Sequence, residues 1–266
     1  MIGNQALPPP ENRTPAELAR STIDTALPSV PCTWLDIGAI EEGEPMRVSM
    51  RGVAGNSGAA QAEIGRALAA AGLGNVRLEF RDVAPITPAG CAALDSYRQL
   101  RAESGSRLAA ATPRFEMAIQ ADGPYAGAAA ANALVDLDLA DPNLDFALLG
   151  IEPSGAITLL LDNRAAFERA LGASRDGRPI SDEGNGRYRL HIDLDHEGWS
   201  GLLLVTGRGP FPPALVRPEI GRRGPDWQQQ FLRAAAERGW RTEMVWFESV
   251  NREPDPEMPV GDGDKE

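Results

Sequence analysis

Met46, Val48 and Met50 alternate with Arg47, Ser49 and Arg51, and that period of two marks residues 46 to 53 as a strand with one buried face. Residues 33 to 40 read as its partner, joined through the turn E-E-G-E-P into a hairpin. Upstream, Thr14, Pro15 and Glu17 carry the signature of a helix start, a capping box with proline at the first helical position. That helix is expected to run to about Leu27, where Pro28 and Pro31 stop it. Ala60, Ile64, Leu68 and Ala71 then fall on one face of a helix over 58 to 71, capped by Asn56 or Ser57 and ended by Gly72 and Gly74. Val76, Leu78 and Phe80 alternate in a third strand, and Thr87 with Pro88 opens another helix bearing Leu94, Tyr97, Leu100 and Arg101 near its end. The order α-β-β-α-β-α defines a small α/β unit over residues 14 to 101, behind a Pro-rich segment, 1 to 13, expected to be flexible.

Residues 102 to 112 are small and polar and read as a linker. Beyond them the period of two dominates, with candidate strands at 115 to 121, 132 to 139, 146 to 151, 156 to 161, 188 to 194, 201 to 206 and 241 to 250. Short strands separated by turns such as E-P-S-G-A and G-N-G-R predict an Ig-like β-sandwich over 113 to 250. Its inner face is expected to include Phe115, Met117, Ile119, Tyr188, Leu190, Ile192 and Leu194. Two helices interrupt it, 164 to 171 capped by Asn163 and 225 to 238 opened by G-P-D-W. On the second, Trp227 and Phe231 share a face that, with Trp240, Trp246 and Phe247 nearby, is expected to cover the sandwich. The tail from 251 carries six acids among Pro and Gly and is expected to be disordered. The fold class is therefore α+β, a small α/β unit followed by a β-sandwich with inserted helices.

Charge and composition narrow the function. A formal net charge of -12 over 266 residues, with no Lys/Arg-rich stretch to offset it, argues against nucleic acid as a partner. No apolar run reaches the roughly 18 to 20 residues that cross a bilayer, and the start has neither a basic nor an apolar signal region. Of the 26 basic residues only Lys265 is lysine, so a Walker lysine, a kinase phosphate-binding lysine and a Schiff-base lysine are all excluded from the body. Cys32 and Cys91 are the only cysteines and bracket the β-β-α-β part of the small unit, Cys32 just before the first strand and Cys91 in the first turn of the helix after the third. A disulfide between them is expected, closing a loop worth about 4 kcal/mol and favouring an oxidising compartment. With a signal absent, an extracytoplasmic protein would keep its leader or membrane anchor upstream, so the chain is expected to be part of a larger protein; the alternative is a cytoplasmic location.

No catalytic constellation emerges, and no cofactor is expected. D-L-D-H-E could offer Asp193, Asp195 and Glu197 to a hard cation, but strand alternation and the lack of a tight-turn glycine favour a polar strand face. His191 and His196 are five apart, the wrong spacing for zinc. Ser57 and Ser200 lack the second glycine of a nucleophile elbow. The candidate ligand site is an anion site made by Arg208, Arg222, Arg223 and Trp227, on Gly/Pro-rich connections leading into a helix N-terminus; the competing reading has these arginines pairing within the domain.

The stretch M-R-V-S-M-R-G-V-A-G-N-S-G-A-A-Q, with N-V-R-L-E-F after the helix, resembles a BON-type domain of bacterial envelope proteins, including its glycine, Gly52. Joined to P-C-T-W-L-D-I before it and D-V-A-P-I-T-P-A-G-C-A-A-L-D-S-Y-R-Q-L-R after it, then L-L-G-I-E-P-S-G-A-I-T-L-L-L-D-N and L-L-L-V-T-G-R-G-P-F, nearly the whole chain is similar to the C-terminal extracytoplasmic region of alphaproteobacterial serine/threonine protein kinases. The second domain also resembles a β-rich domain of unknown function found behind kinase and caspase-like domains. The resemblance implies a noncatalytic periplasmic sensory or protein-interaction module with a protein partner or envelope-derived ligand. The alternative is a structural component of the envelope or of a secretion system.

Overall fold

The computed structural model describes residues 13–102, 107–121 and 123–251; expectations for the N-terminal segment before Arg13 and the acidic tail after Asn251 lie outside them. The small unit begins with α1 (Pro15–Ala26), whose capping box forms as the sequence requires. Thr14 Oγ1 accepts from Glu17 N at 3.2 Å and the Glu17 carboxylate accepts from Thr14 N at 2.8 Å. β1 (Thr33–Glu41) and β2 (Met46–Ala54) pair antiparallel, α2 (Ser57–Ala70) crosses over, and β3 (Val76–Pro85) returns parallel to β2. Asn56, not Ser57, caps α2, accepting from Ala59 N at 2.9 Å. The helices α1 and α2 cover one sheet face, where Ile23, Ile64 and Leu68 meet Leu35, Val48, Met50 and Leu78. Each such side chain contributes roughly 1.5 to 3 kcal/mol by burial. Gly52 sits at φ +123, and a Cβ there would lie 2.0 Å from Trp34 O, so only glycine lets β1 and β2 approach this closely. After β3, α3 (Pro88–Arg98) packs against β1.

The remaining strands form one large mixed sheet, in the order β8-β7-β11-β12-β5-β6-β10-β9 with β4 also on β6. They are β4 (Leu108–Ala110), β5 (Arg114–Ile119), β6 (Ala129–Asp138), β7 (Asp145–Ile151), β8 (Ile157–Leu161), β9 (Ile180–Gly184), β10 (Arg187–Leu194), β11 (Gly198–Gly207) and β12 (Arg241–Asn251). The expected sandwich of two separate antiparallel sheets is instead a continuous sheet curled over itself. The cause lies in β5, which pairs parallel with the end of β12 through Arg114–Met117 and then antiparallel with the start of β6 through Ala118 and Ile119. Inside the curl, Phe146, Leu148, Leu202, Leu204 and Phe247 meet Met117, Val135, Leu137, Leu190 and Leu194, with Phe167 of α4 (Arg164–Ala173) closing the end. Phe115, Tyr188 and Ile192 pack at the rim of this core. Ile119, expected inside, is 70% exposed, because β5 has run past the core by then and holds only the tip of β6. Residues 108 to 110, read as part of a linker, add the strand β4.

The outer face of β7, β11 and β12 carries Leu149, Leu203, Val205, Met244 and Trp246, and a second core covers it. That core draws Trp227, Phe231 and Ala235 from α6 (Pro225–Arg238), Val216 from α5 (Pro213–Val216), Leu94 and Tyr97 from α3, and Trp34 and Val53 from the small sheet. The helix face of Trp227 and Phe231 therefore covers the sheet as its spacing predicts. Buried hydrogen bonds run across the same boundary: the Tyr97 hydroxyl donates to Val216 O at 2.9 Å and Thr242 Oγ1 donates to Tyr97 O at 2.6 Å.

Candidate functional site

Cys32 and Cys91 form a disulfide, with Cα atoms 4.7 Å apart, inside the separation such bonds need. It ties the residue before β1 to the first turn of α3. Cys32 N donates to Asp95 Oδ1 at 2.9 Å and Gly55 N donates to Cys32 O at 2.9 Å, so the backbone around the bridge is fixed from both sides. A Cβ on Gly55 would sit 2.5 Å from Cys32 Sγ, which is why the turn after β2 is glycine here.

The four residues expected to bind an anion occupy separate environments. Arg208 donates to Glu237 O at 2.6 Å and its own carbonyl accepts from Trp240 Nε1 at 3.0 Å, which places it at the C-terminal end of α6. Trp227 stands at the opposite end of that helix, about 15 Å away at 1.5 Å per residue, buried and donating its indole N–H to Leu215 O at 3.0 Å. Arg222 is exposed and pairs with Glu219 at 3.2 Å. Arg223 is buried and faces carbonyls: Ala89 O at 2.8 Å, Gly155 O at 2.6 Å and Pro218 O at 3.1 Å. Burial pulls its guanidinium down from the usual arginine range, a shift that neighbouring Tyr97 opposes. Burial in turn pushes the Tyr97 phenol up. Arg223 thus rivets the start of α3 to the β7–β8 turn and to the connection before α6.

Asp193 accepts from Asn132 Nδ2 at 2.8 Å, and Asn132 Oδ1 lies 3.2 Å from His191 Nδ1, forming a polar row on the outer face of β6 and β10. Burial, then the charges of Arg178 and Arg189, hold the His191 imidazole below its ordinary pKa. His196 contacts Asp195 at 3.2 Å, and Glu197 accepts from Asn251 at 2.6 Å. Among the described residues no group of three or more His, Cys, Asp or Glu is placed to hold a metal ion. No helix among them is long and apolar enough to cross a membrane.

A cleft of about 960 Å³ opens where the small sheet meets the large one, a site the sequence patterns do not disclose. Trp34, 2% exposed, lines it, with the Arg101 guanidinium 4.7 Å from the ring centroid. Arg101 also donates to Leu35 O at 2.9 Å and pairs with Asp36. Arg107 pairs with buried Glu243 at 3.0 Å, and Arg114 bridges Asp82 at 2.7 Å and Glu248 at 2.9 Å. Arg51, on the same wall as Trp34 and Asp36, is exposed and makes no ion pair among the described residues. The Trp34 Nε1 atom is buried and has no hydrogen-bond partner among the described residues. Only the lone tryptophan in P-C-T-W-L-D-I hints at this place, because the other wall is separated from it by more than seventy residues of chain.

No family model, no curated protein and no solved structure matches this chain.

Proposed function

We propose that this chain is a noncatalytic extracytoplasmic module, sensory or protein-binding, of a serine/threonine kinase-type signalling protein in the bacterial envelope. The observation that carries the reading is the Cys32–Cys91 disulfide: it closes the only cysteine pair of the chain across β1 and α3, and such bonds persist in oxidising compartments. The partly polar cleft beside Trp34 supports a binding role, since concave sites with a few convergent polar groups are where ligands and partners dock. The association with a kinase rests on the resemblance of the quoted segments alone.

Thiol trapping tests the location. Cells expressing the parent gene are quenched in acid and treated with maleimide-polyethylene glycol before or after reduction. Two adducts are expected only after reduction. Two adducts without reduction would place the chain in a reducing compartment and overturn the reading, and a parent reading frame without a kinase domain would remove the signalling half of it.

A further inference from the structure

β8 is the outermost strand of the large sheet at one end, and its free side is unguarded. Its sequence, I-T-L-L-L, carries no charge and no proline. Other outer strands of the two sheets carry the devices that stop a sheet edge from pairing with a second chain. β9 holds Asp182 and Glu183, and β3 holds Arg77, Glu79, Arg81 and Asp82. β1 is interrupted by a bulge between Ile37 and Ala39, with the Arg101 guanidinium donating to Leu35 O. By contrast, none of the five residues of β8 is buried, and Leu160 is 47% exposed, a large apolar side chain left in solvent.

The main-chain groups on that side are free as well. The β7–β8 turn closes with Glu152 N donating to Ala156 O at 3.0 Å, and along an antiparallel pair bonded and non-bonded positions alternate. Thr158 therefore turns its main chain to Gly150, while Ile157 and Leu159 turn theirs outward. Neither the N–H nor the C=O of these two residues has a partner among the described residues. The irregularity of the ladder falls beyond them, where Leu160 is passed over between Leu159 and Leu161. Thr158 and Leu160 share a face of the sheet with Gly150, since a Cβ on Gly150 would lie 3.9 Å from Leu160 Cδ1.

Two outward positions, two residues apart on an uncharged strand, are complementary to themselves. We propose that β8 joins two copies of this chain: the strands pair antiparallel about a two-fold axis at Thr158, and the two large sheets become one. Ile157 of each chain then meets Leu159 of the copy as a bonded pair, giving about four main-chain hydrogen bonds across the axis. Thr158 faces Thr158 of the copy, a favourable cross-strand pair, and exposed Leu160 packs against Ala156 of the copy. Past the strand, the same register brings exposed Glu152 towards Arg164 of the copy and Asp162 towards Ser154 of the copy. No acid meets an acid there, although each chain carries a formal net charge of -12, and these matched ends favour a second copy over an unrelated strand. The axis makes the contact isologous, so the pair closes as a dimer. A five-residue edge falls short of the roughly 1,200 Å² of a standard interface, so the dimer is a weak one, with Kd on the order of 100 μM. The inference stands on the sheet edge and is independent of the location and signalling association proposed above.

Sedimentation equilibrium on the purified chain, from about 5 to about 500 μM, should follow a monomer–dimer curve. Hydrogen exchange at the Ile157 and Leu159 amides, read by nuclear magnetic resonance, should slow as the concentration rises. Thr158→Lys sets two ammonium groups face to face at the axis and, at an exposed position, leaves the monomer fold intact. It should raise Kd at least tenfold, whereas Thr158→Val, which keeps shape and β-branching, should hold it within about twofold. A chain that stays monomeric at about 500 μM overturns the inference and leaves the edge to a different protein. A dimer that Thr158→Lys leaves unchanged overturns it too, as does exchange at Ile157 and Leu159 that ignores concentration. Thiol trapping is read in cells and sedimentation on the purified chain, so a failure of either leaves the other result as it is.

Discussion

Replacing both cysteines, Cys32→Ala with Cys91→Ala, should cost about 4 kcal/mol of unfolding free energy. The figure comes from the loop: the bridge spans 59 residues, and removing the closure constraint from the unfolded chain at that length amounts to about 4 kcal/mol in the chain-entropy model. The native contacts around the bridge survive the change, since Cys32 N to Asp95, Gly55 N to Cys32 O and the Arg98–Asp95 pair at 3.0 Å do not depend on sulfur. The variant should therefore fold to the same structure and differ mainly through its unfolded state. In urea, with a slope of about 3 kcal/mol/M, the midpoint should fall by a little over 1 M. The assay is equilibrium unfolding followed by tryptophan fluorescence and by far-ultraviolet circular dichroism on wild type, reduced wild type and the double variant. The two probes should coincide, because Trp34 of the small sheet and Trp227, Trp240 and Trp246 share one core. A loss below about 1 kcal/mol would refute the loop argument. Two separated transitions would refute the view that the small unit and the large sheet unfold together.

Two further outcomes follow from side chains whose environments are known. Arg223→Met should cost about 3 kcal/mol, because it strips the carbonyls of Ala89, Gly155 and Pro218 of a buried charged donor, whereas Arg222→Ala, at an exposed pair with Glu219, should leave the urea midpoint unchanged within error. His191 binds its proton less readily folded than unfolded, so its contribution to stability is complete above the ordinary histidine pKa of about 6.5 and is lost as pH falls from there through the lowered folded value. His191→Gln should flatten that part of the stability–pH profile, measured by thermal unfolding between pH 7.5 and 5; an unchanged slope would remove His191 as its source.

Local chemistry was readable where one residue decides the outcome. Thr14 and Glu17 cap α1, Gly72 follows the second helix, the Met46–Met50 alternation marks β2, and the cysteine pair closes as its position suggests. What escaped was decided by partners far along the chain. β5 reads as an ordinary alternating strand, yet its two halves pair with different neighbours, and that division turns two expected sheets into one curled sheet and leaves Ile119 in solvent. Residues 102 to 112 look like a linker because small polar residues carry no period, yet 108 to 110 join β6, where Leu108 is buried. The arginines near 222 illustrate the same limit from the side of function. Arg222 and Arg223 are indistinguishable as sequence, both cations before a helix N-terminus, and only the carbonyls of Ala89 and Gly155, brought in from 134 and 68 residues away, divide them into a surface charge and a buried rivet.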